Sequence, residues 1–321
     1  MPIRAEVRVS PGRLRAAADP GPVEDARKDR PLSAPGRKTH PRCGARGGDL
    51  MSTDPLLRCS DVVVTFKQKH SKEPFYAVKN ASLDVGAGQI VGLVGESGSG
   101  KSTLARAVVG LQRVDSGVIA FDAHQLGNRR TREDRQGIQM VFQDPYGSLD
   151  PRMSIRATLA EVIRRHTDLR GKGIDKRCLE LMDMVRLPGS LLRSRPAGMS
   201  GGQRQRVAIA RALSINPRLL VADEAVAALD VSVQAGIVNL LSDLRDEAGL
   251  SILFISHDLS IIRTLCDRVS VIYRGEIVEE RPCADLFANP HSDYTKALLS
   301  AIPRLNGPRS EGLGQGQSLR M

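Results

Sequence analysis

The run Gly95-Glu96-Ser97-Gly98-Ser99-Gly100-Lys101-Ser102 sets out the pattern G-x-x-x-x-G-K-S/T in full. Glycines at these positions let successive backbone N–H groups turn inward around phosphate oxygens. A helix opening at Lys101 adds the positive end of its dipole. Lys101 has the reach for β- and γ-phosphates, and the Ser102 hydroxyl, followed by Thr103, is a hard oxygen suited to Mg²⁺. A chance glycine-rich turn would lack the apolar strand Ile90–Val94 before it and the helix after it.

Two further groups carry chemistry. Leu219-Leu220-Val221-Ala222-Asp223-Glu224 is an apolar strand ending in two acids. Asp223 is placed to hold Mg²⁺, directly or through water, and Glu224 to polarise an attacking water as general base. The bland alternative, an acid-rich helix start, loses ground beside a phosphate-binding loop. Ser200-Gly201-Gly202-Gln203 reads as a capping box, with Ser200 at N-cap and Gln203 at N3. Two glycines in a first turn weaken a helix. Their use is a close approach of backbone N–H groups to an anion.

These residues need elements to position them. Val62–Phe66 and Ala81–Val85 alternate like half-buried strands. A helix is predicted from Lys101 to Gly110. Ile155, Leu159, Val162 and Ile163, then Leu181, Met182 and Val185, recur at helical spacing until Pro188-Gly189 breaks the run, which predicts a helical insertion. Leu219–Ala222 and Ile252–Ile255 read as strands. Between them Val233, Ile237, Leu240, Leu241 and Leu244 line one helix face. Val269–Tyr273 and Glu276–Glu279 flank a turn at Arg274-Gly275. Strands alternating with helices predict a mostly parallel sheet covered on both faces.

Composition narrows the classes. Hydrophobic residues make up 41% of the 321, enough for a sizeable core. No apolar run approaches the ~20 residues of a membrane span, and the start lacks the apolar core of a signal peptide. Five scattered cysteines without a C-x-x-C pair read as thiols in a reducing compartment. The net charge of +11 would permit nucleic-acid binding, but aromatics are only 3%, which leaves little to stack bases on. Residues 1–50 hold eleven Arg/Lys against six Asp/Glu, with seven prolines and no hydrophobic periodicity. They read as disordered, as do residues 305–321. Met51, followed closely by strand-like residues, is expected to be the initiator, with residues 1–50 absent from the native protein.

Ser200–Gln203 followed by Arg204-Gln205-Arg206, about twenty residues before the Asp223-Glu224 strand, resembles the signature motif of ABC-type ATPases. The resemblance covers about residues 55–303. It implies a P-loop NTPase core with a mostly parallel sheet, an N-terminal antiparallel β subdomain and an inserted α-helical subdomain. The ATPase domain would span 55–285 and its helical subdomain about 144–205. It also implies two such subunits sandwiching two ATP molecules with Mg²⁺, so that Ser200, Gly201, Gly202 and Gln203 contact the nucleotide of a partner. Gln143 resembles the Q-loop glutamine that senses Mg²⁺ and water. Ala228-Leu229-Asp230 resembles the D-loop, and His257 the switch histidine at the γ-phosphate. Phe66 is the candidate aromatic stacking on adenine, with Phe75 and Tyr76 as competitors. Ala225, Ala228 and Met199 depart from common residues of the family without removing a catalytic group.

Phe142-Gln143-Asp144-Pro145-Tyr146-Gly147-Ser148-Leu149-Asp150-Pro151-Arg152, Asp230–Ala235 and the extension at 286–304 with Tyr294–Leu299 resemble the dipeptide/oligopeptide permease ATPases. Nickel and glutathione importers share these features. The resemblance implies a peripheral subunit on the cytoplasmic face of the inner membrane, two separate transmembrane permease subunits and an extracytoplasmic solute-binding protein. Tyr146 and Leu149, apolar in a loop-like stretch, would meet either the permease or this subunit's own core. The rival readings are a soluble ABC-type ATPase acting on ribosomes or nucleic acid, and a module that binds ATP without turnover. One phosphate loop, one signature and no sustained heptads disfavour the first. Glu224 and His257 disfavour the second.

Overall fold

The computed structural model describes residues 54–68, 73–227 and 229–301. The readings of residues 1–50, of Met51, of Ala228 and of the 305–321 tail lie outside them. In chain order the elements are β1 (Leu57–Phe66), β2 (Phe75–Val85), β3 (Ile90–Val94), α1 (Lys101–Val108), β4 (Ser116–Phe121), β5 (His124–Gln125), α2 (Arg132–Gly137) and β6 (Ile138–Val141). Then come α3 (Pro145–Ser148), α4 (Ile155–His166), α5 (Lys172–Met184) and α6 (Gly201–Leu213). The chain closes with β7 (Leu219–Asp223), α7 (Val231–Ala248), β8 (Ser251–Ile255), α8 (Leu259–Leu265), β9 (Arg268–Tyr273), β10 (Glu276–Pro282), α9 (Cys283–Ala288) and α10 (Asp293–Ser300).

The central sheet has the order β10-β9-β3-β8-β7-β6, parallel except for the antiparallel edge strand β10. A second, antiparallel sheet has the order β2-β1-β4-β5. Strand alternation explains the layering. Val91, Leu93, Leu219, Val221, Leu253 and Ile255 face one side, where they join Val62, Val64 and Leu83 of the antiparallel sheet and Leu104 and Val108 of α1. Ile90, Val94, Leu220, Ala222, Ile252 and Phe254 face the other side, where they join the helices from α4 to α9. Side chains a residue apart point to opposite faces, so near-continuous apolar strands are what a doubly covered parallel sheet requires. Among the described residues no helix is long and apolar enough to cross a membrane.

The helical spacing over 155–187 corresponds to α4 and α5. Ser154 caps α4 by accepting the Ala157 N–H, and Gly110 follows α1 with φ +79°. Leu149 takes one of the two alternatives that the sequence left open. It is 2% exposed and belongs to the cluster of Val141, Ile155 and Leu159, so it serves this subunit's own core and does not meet a permease. The cause is the turn that follows it. Asp150 accepts the Arg152 N–H on its side chain at 2.8 Å and the Met153 N–H on its carbonyl at 3.1 Å, folding Leu149 back inward. The Tyr146 side chain lies outside the described structure. Leu149→Ala should destabilise the fold by roughly 2–4 kcal/mol through lost burial and a cavity. Thermal unfolding would show this, and an unchanged midpoint would place Leu149 outside the core.

Candidate functional site

Four neighbouring parallel strands deliver the candidate residues to one edge of the sheet. β3 ends in the phosphate loop, β7 in Asp223 and Glu224, and β8 leads into His257, while Gln143 follows β6. In open α/β sheets ligands bind outside the carboxyl ends of the strands, and the order of these strands makes the four ends adjacent.

The loop is shaped by contacts that admit only glycine. A Cβ on Gly100, whose φ is +110°, would come within 2.3 Å of the Ala77 carbonyl oxygen, and one on Gly95 within 2.2 Å of that of Ile272. Gly98, at φ +79°, meets nothing within 4 Å and leaves the loop open toward a cavity of about 420 Å³. Ser97, Gly98, Gly100, Lys101, Ser102 and Thr103 line that cavity, together with Ala77, Gln143, Glu224, Phe66 and Phe75. Gly95 and Ser99 are buried, and Glu96 is exposed.

Lys101 is buried and donates to the carbonyls of Gly95 at 2.8 Å and Glu96 at 2.7 Å. Burial pushes its pKa down, against the opposing pull of Glu224, Asp223 and Glu96. The Ser102 hydroxyl donates to Asp223 Oδ1 at 2.9 Å. Burial raises the Asp223 pKa, and the Ser102 bond opposes this. One hydroxyl and one carboxylate brought together beside a phosphate cradle form a donor set that fits Mg²⁺, which takes few protein oxygens and completes its shell with substrate phosphates and water.

Glu224 stands at φ +47°, in the left-handed region that a non-glycine residue occupies at a cost of about 1–2 kcal/mol. Its N–H donates to Ile255 O at 3.0 Å. That conformation carries the carboxylate between two partners. Gln143 Nε2 donates to Glu224 Oε2 at 2.7 Å, and His257 Nδ1 lies 3.5 Å from Oε1. Gln143, Glu224 and His257 thus form one cluster, of which Gln143 and Glu224 line the cavity and His257 does not.

Ser200 and Gln203 form the predicted capping box at the start of α6. Ser200, Gly201, Gly202 and Gln203 do not line the cavity. Gly202 has a local reason that the sequence did not give. A Cβ there would come within 2.4 Å of Val233 Cγ1 on α7, so the glycine allows the two helix starts to touch. Asp230 occupies the N-cap position of α7, but its side chain makes no capping bond. Of the aromatic candidates, Phe66 and its cross-strand partner Phe75 line the cavity, while Tyr76 lines a neighbouring one of about 480 Å³ with Phe75, Lys79 and Arg274. The sequence reading missed two supports of the loop. Gly275, in the β9–β10 turn, donates its N–H to Ser99 O at 2.9 Å, and the Tyr294 hydroxyl accepts from Glu96 N–H at 3.0 Å.

Residues 78–227 match the ABC transporter family, and residues 278–319 match the oligopeptide/dipeptide transporter C-terminal region. A Brucella abortus (strain 2308) protein named "Putative peptide import ATP-binding protein" is 45% identical over 276 residues, 83% of each chain. The glutathione import ATP-binding protein of Pectobacterium atrosepticum is 43% identical over 258 residues, 78% of this chain and 41% of that one. The solved dimeric ATP-binding cassette MJ0796, in a post-hydrolysis state bound to ADP and Pi, superposes with a TM-score of 0.63 at 29% identity, covering 71% of this chain and 98% of that one. With the loop, the paired acids and the capped signature helix set on this strand order, the chain belongs to the ABC transporter family of ATP-binding proteins, in the group that carries the oligopeptide/dipeptide transporter C-terminal region.

Proposed function

We propose that this chain is the ATP-hydrolysing subunit of an importer of dipeptides or oligopeptides, held peripherally at the cytoplasmic face of the membrane. The observation that carries the hydrolytic reading is the Glu224 carboxylate, set between Gln143 and His257 at the wall of the glycine-lined cavity. The triphosphate of ATP would lie on the 95–102 loop, its oxygens taking the Lys101 ammonium over from the Gly95 and Glu96 carbonyls. Ser102 and Asp223 would hold Mg²⁺, with Gln143 close by; the ion supplies positive charge against the β- and γ-phosphate oxygens. Glu224 orients and deprotonates the attacking water. Lys101 and His257 stabilise the charge that develops on the γ-phosphoryl group. Phe66 or Phe75 would stack on adenine.

The signature residues Ser200 to Gln203 lie on another element from the cavity, which supports a reading in which they, with Asp230, complete the site of a second ATPase subunit. Two separate permease chains would carry the membrane passage, and a solute-binding protein outside would deliver cargo. In this reading 55–285 is the ATPase domain, 144–205 its helical subdomain and 286–304 the extension. The glutathione importer relative favours a second cargo reading. Uptake of labelled dipeptide against labelled glutathione by the assembled importer separates the two.

Two sets of measurements test this reading, the first its chemistry. Lys101→Ala should weaken nucleotide binding and hydrolysis together. Glu224→Gln should keep ATP binding and cut phosphate release by roughly 10²-fold or more, the contribution of a general base; near-normal turnover would remove Glu224 from that role. The second concerns assembly. Ser200→Arg and Lys101→Ala subunits, each inactive alone, should regain partial ATPase activity when mixed as a homomeric pair, because one composite site keeps both intact halves. Normal hydrolysis by Ser200→Arg alone would show that the signature does not act across the interface.

A further inference from the structure

The C-terminal segment reaches back to the phosphate loop. Glu279 on β10, 8% exposed, accepts the backbone N–H groups of His291 and Ser292, each at 2.9 Å. These bonds fix the turn that opens α10. Two residues further on, the Tyr294 ring packs on Tyr273 at the end of β9, with centroids 4.2 Å apart and planes tilted by 33°. The Arg274 guanidinium lies 5.1 Å from the Tyr273 centroid. So placed, the Tyr294 hydroxyl accepts the Glu96 N–H at 3.0 Å across 198 residues of sequence.

That N–H belongs to the peptide group whose carbonyl is Gly95 O, and Gly95 O is one of the two acceptors of the Lys101 ammonium. The Gly95–Glu96 peptide is therefore held from both sides, by Lys101 at its oxygen and by Tyr294 at its nitrogen. A glycine beside the peptide gives the plane freedom to rotate unless something holds it.

We propose that Tyr294 is a positioning residue for nucleotide binding: its hydroxyl fixes the Gly95–Glu96 peptide at the start of the phosphate loop and keeps that hold when ATP takes Lys101 over, and through it helix α10 sets the affinity of the loop for ATP. The proposal rests on the nucleotide site described under the function above. A loop already held in its binding conformation loses less freedom when the ligand arrives. Glu224, Gln143 and His257 follow other strands, so the chemical step is left alone.

Tyr294→Phe in the full-length subunit removes the hydroxyl and keeps the ring on Tyr273. KM for MgATP should rise roughly three- to tenfold, the range one neutral hydrogen bond supports, with kcat within about twofold. Without nucleotide, amide exchange over residues 95–102 should quicken while that of β8 stays as it was. Glu279→Ala, which frees the start of α10, should move KM and exchange in the same direction. Unchanged KM and unchanged exchange in Tyr294→Phe would overturn the proposal. So would a lowered melting temperature with KM unaltered, or a fall in kcat alone. If the unsubstituted protein binds no MgATP, the nucleotide reading fails, while exchange at 95–102 still reports whether Tyr294 holds the loop.

Discussion

Lys101 is 4% exposed, and its ammonium is solvated by the two loop carbonyls at 2.8 and 2.7 Å. A charge taken so far from water stays in place only if protein dipoles replace the lost hydration. Much of the site follows from satisfying it. The loop must bend back over its own lysine, which brings Gly95 and Gly100 against the carbonyls of Ile272 and Ala77, where no side chain fits. The helix must open at Lys101 and not a turn later. Asp223 and Glu224 must come close enough to offset desolvation, which places β7 near β3 with β8 between them. In the proposed function an incoming triphosphate would find a cation whose present hydrogen-bond partners are neutral and replaceable.

The parallel sheet supplies the rest at little local cost. Its strands are apolar on both faces because both faces are covered, so polar chemistry can collect only where the strands end. Gln143 and Glu224 are 81 residues apart in sequence and 2.7 Å apart in space because β6 and β7 pair in register, Val141 against Ala222. Glu224 is the residue where regular geometry gives way. Its left-handed backbone turns the chain at the strand end, and the bond from its N–H to Ile255 O ties the turn to the next strand.

Legibility in the sequence followed the range of the interaction. The phosphate loop, the strand ending in two acids and the capping box are local patterns, and each stands where the residues put it. Period-two alternation marked the half-buried strands β1 and β2, short apolar runs marked the buried β3, β7 and β8, and helical spacing marked α4, α5 and α7. Contacts between distant segments were not legible. Nothing near Tyr294 points to Glu96, and nothing near Gly202 points to Val233. The side Leu149 faces was left open because a stretch rich in proline and glycine reads as loop; the Asp150 turn beside it depends on side-chain geometry that no periodicity encodes. Among the aromatic candidates, only the pairing of Phe66 with Phe75 across the first hairpin shows which rings share the cavity with the loop.

The contact at Gly202 bears on how two distant surfaces move. With no side chain between it and Val233, the first turns of α6 and α7 share a hard boundary, and close-packed interiors transmit displacement instead of absorbing it. Val233 lies nine residues after Glu224 in sequence, in the first turn of α7. The Ser200 end is exposed, so whatever packs there bears on α7 through this boundary. If Ser200–Gln203 meets a second subunit as proposed, the bare glycine would let a displacement there reach the start of α7 by direct contact.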